Sequence, residues 1–110
     1  MARTALDRTL QALADPTRRA LIERVGRGPM RATDLSRGLP MSRPAVAKHL
    51  RVLRGAGLLK AVPQGREVLY LRSEDSRALE EARAYLERVS AGWDRALDAF
   101  KRFAESQEEP

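Results

Sequence analysis

From Ser76 to Phe103 nothing breaks a helical pattern except Gly92, and a helix of that length would be about 42 Å long. A chain of 110 residues makes one small domain, which cannot cover such a helix by itself. Leu79, Ala82, Leu86, Val89, Trp93, Ala96, Phe100 and Phe103 recur along it at spacings of three and four, forming a continuous apolar seam. The seam either packs on its own domain or meets another helix. The remaining helices are short, and Leu6, Leu10 and Leu13 offer a matching stripe near the N-terminus. We therefore expect a homodimer whose interface includes Leu6, Leu10, Leu13, Leu86, Val89, Trp93 and Phe100. Ser73, Glu74 and Asp75 supply capping oxygens and negative charge ahead of the long helix. The single domain is expected to span 1–104, with 105–110 as a frayed C-terminal tail.

Charge is distributed unevenly. The net charge is +6, yet residues 31–72 carry nine basic against two acidic side chains, whereas residues 73–110 carry six against ten. A +7 block followed by an acidic segment points to an anionic polymer as partner. Four of the five aromatics, Tyr85, Trp93, Phe100 and Phe103, lie in the acidic segment, leaving only Tyr70 in the cationic block. Single-strand binders interleave aromatics with basic residues for base stacking, so a duplex read from its grooves fits better.

Leu6, Leu10 and Leu13 predict an amphipathic helix from about Thr4 to Ala14, with Asp7, Arg8 and Gln11 outward. Asp15 is a good N-cap and Pro16 suits a first helical position, so a second helix starts there and carries Leu21, Ile22 and Val25 until Gly26 to Pro29 break it. A third, short helix from about Ala32 to Arg37 buries Leu35 and ends at Gly38, with a turn at Leu39-Pro40-Met41. Ser42 caps a fourth, running to about Gly55, in which Val46, Leu50 and Leu53 fall opposite Pro44, Lys48 and Arg51. Leu58 to Val62 and Val68 to Arg72 read as two strands around the turn Pro63-Gln64-Gly65-Arg66.

Four helices, a β-hairpin and a long last helix make a mainly α fold. Its order of short helix, tight turn, capped cationic helix and hairpin is that of a winged helix-turn-helix. A helix of this kind fits the major groove of duplex DNA, while the hairpin lies along the backbone or in the minor groove. Arg43, at the helix entrance, is suited to guanine O6 and N7, and Lys48 to a guanine or a phosphate. Arg51 and Ser42 suit phosphate, and Pro44 and Ala47 offer apolar surface to a thymine methyl. Gln64, Gly65 and Arg66 make a polar wing tip whose arginine suits a narrow minor groove. A duplex binder without sequence preference, or a winged helix used for protein docking, remains open on charge and shape alone.

The run Leu13-Ala14-Asp15-Pro16-Thr17-Arg18-Arg19, the run Ser42-Arg43-Pro44-Ala45-Val46-Ala47-Lys48-His49-Leu50-Arg51-Val52-Leu53, then Gly57-Leu58-Leu59, Gly65-Arg66 and Tyr70 resemble the ArsR family of bacterial repressors over nearly the whole chain. The stretch Trp93 to Leu97 resembles its metal-independent branch, often encoded beside small ligand-binding proteins. The resemblance implies a homodimer, joined through first and last helices, that binds an imperfect inverted repeat overlapping a promoter and blocks polymerase. Members that sense metals or arsenic carry cysteines in the third helix or clustered Asp, His and Glu in the last. Here Arg31 to Ser36 occupy the first place and the second lacks histidine, so no metal or other cofactor is expected. Glu80, Glu81, Glu87 and Asp94 read as a solvated polar face. An organic effector at the dimer interface, a partner protein, or control by the repressor's own abundance are left open.

His49 falls near the apolar side of the fourth helix, which favours a structural histidine over a DNA contact or pH sensor. With no cysteine, no nucleophile motif, no Gly-rich phosphate loop and no paired carboxylates against a cleft, no enzyme is expected. No stretch approaches the roughly 18 apolar residues of a membrane span, and Arg3, Asp7 and Arg8 interrupt any signal sequence, so a cytoplasmic protein is expected.

Overall fold

Three of the helix starts, those at Ala5, Pro16 and Arg43, have a local cause in the sequence. The computed structural model describes residues 4–74 and 77–108. Helix α1 (Ala5–Ala14) opens with a capping box in which the Thr4 hydroxyl accepts from the Asp7 N–H at 3.1 Å and the Asp7 carboxylate accepts from the Thr4 N–H at 3.0 Å. Helix α2 (Pro16–Gly26) follows at once, because the Asp15 carboxylate accepts from the N–H groups of Thr17 and Arg18 at 2.8 and 3.1 Å. A two-residue strand β1 (Met30–Arg31) leads into α3 (Ala32–Ser36), and α4 (Arg43–Gly55) begins at Ser42, whose Oγ accepts from the Ala45 N–H at 3.3 Å. Gly38 makes the turn between these last two helices at φ +79°, a left-handed conformation that costs glycine little. Strands β2 (Leu59–Gln64) and β3 (Glu67–Arg72) form the wing, and α5 (Arg77–Glu108) completes the described chain.

Three details differ from the expectation. Among the described residues the sheet has three strands rather than two, in the antiparallel order β1-β3-β2, with Met30 opposite Tyr70 and Arg31 opposite Leu69. Two residues are too short to display a period, so pairing with β3 rather than local pattern creates β1. The hairpin is also tighter, with Pro63 opposite Val68 and Gln64 opposite Glu67, leaving Gly65-Arg66 as a two-residue turn. Gly65 has φ +63° at the first central position, where the favoured hairpin turn calls for glycine, and β2 is an edge strand, which tolerates Pro63. Finally, α5 continues through Glu108, so Glu105–Glu108 are helical rather than the beginning of a tail. The expected start at Ser76, and the contribution of Asp75 to its cap, lie outside the described residues.

Ala12, Leu21, Val25, Leu35, Val46, Leu50, Leu53, Leu58 and Leu59 make one contiguous buried core, drawn from α1 to α4 and the start of the wing. Tyr70, Met30, Ile22 and Leu13 lean on it from the sides. Thr9 is the buried polar side chain among the described residues, and its hydroxyl donates to the Ala5 carbonyl at 3.1 Å. α1 packs against α5, but the far half of α5 leaves the body of the molecule. At 32 residues it is about 48 Å long. The consequence is a radius of gyration of 19.7 Å and a longest dimension of 75 Å, where a compact chain of this size would have a radius near 13 Å.

Candidate nucleic-acid interface

The 3.6-residue period of α4 buries Val46, Leu50 and Leu53 and turns Arg43, Pro44, Lys48 and Arg51 to solvent. Ser42 is exposed at the N-terminal end of the same face, where its hydroxyl already serves the cap. Ala47 is half-buried beside Arg43, Tyr70 and the α3 residues Ala32 and Thr33, so it has less surface to offer than its neighbours. Gln64, Gly65 and Arg66 are all exposed at the wing tip. One basic stretch escaped the sequence reading: Arg51, Arg54 and Lys60 line an open groove between the end of α4 and β2. The spacing of Arg54, three residues beyond Arg51, and the outward alternation of Lys60 on β2 are the signals that mark it.

The arginines differ in what their side chains contact. Arg18 donates from Nε to the Ala12 carbonyl at 2.6 Å and from Nη2 to the Gln11 carbonyl at 2.9 Å. Arg19 Nη1 donates to the carbonyls of Leu13 and Ala14, at 2.8 and 2.9 Å. These two side chains satisfy the orphan carbonyls at the end of α1 and hold the α1–α2 corner. Arg24 does the same for α3, donating to the carbonyls of Leu35 and Arg37 at 2.8 and 2.9 Å. Arg31 pairs with Glu67 across the sheet at 2.9 Å, Arg37 with Asp34 at 3.5 Å, and Arg83 with both Glu80 and Glu87 on the outer face of α5. In contrast, none of Arg43, Lys48, Arg51, Arg54 and Arg66 has a carboxylate partner among the described residues. The cations of α4 and the wing are thus free for an external anion, as are others outside that face, Arg8, Arg27, Arg95, Lys101 and Arg102 among them.

His49 is half-buried, and its Nδ1 lies 3.3 Å from Arg18 Nη1. A guanidinium has only donors, so Nδ1 accepts and the ring proton resides on Nε2. His49 thus ties α4 to α2 and faces inward. The same junction depresses the Asp15 carboxyl below the usual aspartate range, chiefly through the Arg18 N–H, aided by the Thr17 N–H and the nearby Arg18 charge.

On α5 the apolar seam stands open. Trp93 is 65% exposed, Phe100 69% and Leu86 56%, with Val89, Leu97 and Phe103 continuing the stripe. Leu6, Leu10 and Leu13 of α1 are half-buried, Leu13 against the core. An apolar stripe of this extent on an otherwise charged helix is the mark of an interaction surface. Among the described residues no group of three or more His, Cys, Asp or Glu side chains is gathered as a metal site would need, and no helix is long and apolar enough to cross a membrane.

Residues 13–62 match the model of a helix-turn-helix domain family. The chain is 43% identical, over 101 residues, to the HTH-type transcriptional regulator Rv2034 of Mycobacterium tuberculosis, spanning 92% of this chain and 90% of that protein. It is 36% identical over 86 residues to the HTH-type transcriptional regulator NmtR of the same organism, spanning 76% of this chain and 72% of the relative. Among solved structures, the ArsR family transcriptional regulator RHA00566 superposes with a TM-score of 0.74 at 31% identity, over 83% of this chain and 98% of its own. An ArsR-like transcriptional regulator from Rhodococcus sp. RHA1 gives 0.68 at 39% identity, over 91% and 92%. A recognition helix whose cations lack internal partners, a wing and this degree of kinship agree: the chain belongs to the ArsR family of helix-turn-helix regulators, DNA-binding proteins that control transcription.

Proposed function

We propose that the protein is a homodimeric, sequence-specific repressor that binds an imperfect inverted repeat in its own upstream DNA and works in the bacterial cytoplasm. The observation that carries this reading is the run of exposed cations along α4 and the wing, Arg43, Lys48, Arg51, Arg54 and Arg66, none with a carboxylate partner among the described residues, while Arg18, Arg19, Arg24, Arg31 and Arg83 are spent on carbonyls and carboxylates. In this reading Arg43 reads a guanine edge from the first turn of α4, and Lys48 reaches a guanine or phosphate one turn further. Arg51 and Ser42 hold phosphate, Pro44 and Ala47 meet a thymine methyl, and Gln64, Gly65 and Arg66 follow the minor groove. Leu86, Val89, Trp93 and Phe100, with Leu6, Leu10 and Leu13, join two copies so that their recognition helices meet half-sites about 34 Å apart.

The test is a titration of the protein on the duplex upstream of its own gene against a scrambled duplex of equal length, at about 0.15 M salt. Preference of about a thousandfold or more for the upstream DNA is expected. Equal affinity for both, persisting on a genome-wide panel of fragments, would refute sequence-specific repression in favour of non-specific duplex binding.

A further inference from the structure

Between the end of α2 and the start of α5 lies a cleft that the DNA-facing surface does not use. It holds about 400 Å³, within the lower part of the range of small-molecule pockets. Leu58 and Leu59, both almost fully buried, form its base, with Ile22 of α2 and Leu79 of α5 as apolar walls. Gly26 and Gly57 line it without contributing side chains. Its polar edge is Arg72, Ser73 and Glu74. Glu74 lies 3.9 Å from the Lys60 ammonium, whereas Arg72 has no carboxylate partner among the described residues. An apolar hollow with one unneutralised guanidinium at its edge complements a molecule with a short apolar body and a single carboxylate. A second negative charge would meet Glu74, and a cationic head would meet Arg72.

We propose that this cleft binds a small apolar monocarboxylate and is the regulatory site of the protein. Its lining comes from the segments that join the working parts. Gly57 to Leu59 leads from α4 into the wing, Arg72 to Glu74 leads out of the wing, and Leu79 belongs to α5. The two links are bridged by the Ser73 N–H donating to the Leu58 carbonyl across a long 3.4 Å. A body wedged beside that bond shifts α5 relative to the α4–wing unit and so changes the separation of two recognition helices in a dimer. The binding stands on the cleft alone, while the regulatory effect rests on the homodimeric DNA-binding reading above.

The experiment is a ¹H–¹⁵N NMR titration of the full chain, without DNA, using octanoate as probe and octylammonium as control. Saturable shifts are expected at the amides of Ile22, Gly26, Gly57, Leu59 and Ser73, half-complete at about 0.1–1 mM, as befits a ligand of some ten heavy atoms. Octylammonium should leave them unmoved. Arg72→Gln should weaken octanoate by about tenfold through loss of the charged partner. Gly26→Leu should do likewise by filling the cleft, since a Cβ at this helical position meets no atom within 4 Å and the fold can accept it. Shifts confined to the exposed α5 seam, equal shifts with octylammonium, or no saturable shifts would overturn the site. With the cleft saturated, affinity for the preferred duplex should fall by about tenfold. Unchanged DNA affinity at saturation would overturn the regulatory role, whereas octanoate binding by a protein without sequence preference would refute the DNA reading and leave the binding site standing.

Discussion

Trp93→Ala is the sharpest probe of how the molecule assembles. The side chain is 65% exposed, so of roughly 250 Å² that an indole offers, about 160 Å² is free for a partner. Alanine retains about a quarter of that contact, and the remaining 120 Å² or so, at about 25 cal/mol per Å², corresponds to about 3 kcal/mol per subunit. A two-fold interface loses the contact twice, about 6 kcal/mol per dimer, which raises the dissociation constant by roughly four powers of ten. Because most of the ring lies outside the core, the isolated subunit should keep its circular dichroism and its cooperative unfolding. Sedimentation velocity across a concentration series should therefore find a folded monomer where the parent chain is a dimer. Operator binding should weaken with it, since two recognition helices are no longer held in register. A variant that remains dimeric at the parent's concentrations, with unchanged operator affinity, would refute the assignment of the seam.

The DNA face predicts a split between two exposed cations. Arg43→Ala should cost about 1–3 kcal/mol on the preferred site and little on random duplex, whereas Arg51→Ala should weaken all duplexes alike and reduce the salt slope by about one; equal losses from both variants on both DNAs would remove Arg43 from base reading. Arg18→Met strands the carbonyls of Gln11 and Ala12 and the Nδ1 of His49, and urea unfolding should register a loss of about 2 kcal/mol or more. An unshifted midpoint would show that the corner does not depend on it. For Asp15, the folded carboxyl titrates below its unfolded value near 3.9, so its contribution to stability is present above that pH and lost as the pH falls through the folded value. Asp15→Asn should flatten the acid limb of a thermal stability profile below about pH 4, and parallel profiles for parent and variant would contradict the linkage.

Elements with a period or a cap were legible in the sequence. Asp15-Pro16 marked the start of α2, Ser42 that of α4, and the opposition of Leu50 and Leu53 to Lys48 and Arg51 oriented the recognition helix. Strand β1 was invisible because its two residues acquire extended structure only through Tyr70 and Leu69 on the partner strand. The tight wing turn was missed because Pro63 reads as a breaker, although at a sheet edge it sits opposite Val68 without disrupting the ladder. The roles of Arg18, Arg19 and Arg24 could not be read from spacing. Their acceptors are main-chain carbonyls, which every residue carries, so composition shows the donor and hides the destination. For the same reason the count of basic residues overstates the charge available to DNA, and the shortage of local partners around Arg43, Lys48, Arg51, Arg54 and Arg66 is visible only in three dimensions.

Eighteen of the 21 basic residues are arginine, and Arg18 illustrates what the planar, five-donor head makes possible. Its Nε and Nη2 grip the end of α1, its main-chain N–H is held by Asp15, and its Nη1 reaches His49 on α4. A lysine in its place, with one point-like ammonium, could not hold these diverging acceptors in a single geometry. One side chain of α2 therefore connects a helix that packs on α5 with the helix that faces DNA. In a dimer built on the α5 seam, the distance between the two copies of α4 is transmitted through this joint on one side and through the Leu58–Ser73 link on the other. Rigidity at the arginine joint and a long hydrogen bond at the link make the second the softer of the two. Motion of α5 relative to the recognition helix should concentrate there, beside the cleft that Arg72 overlooks.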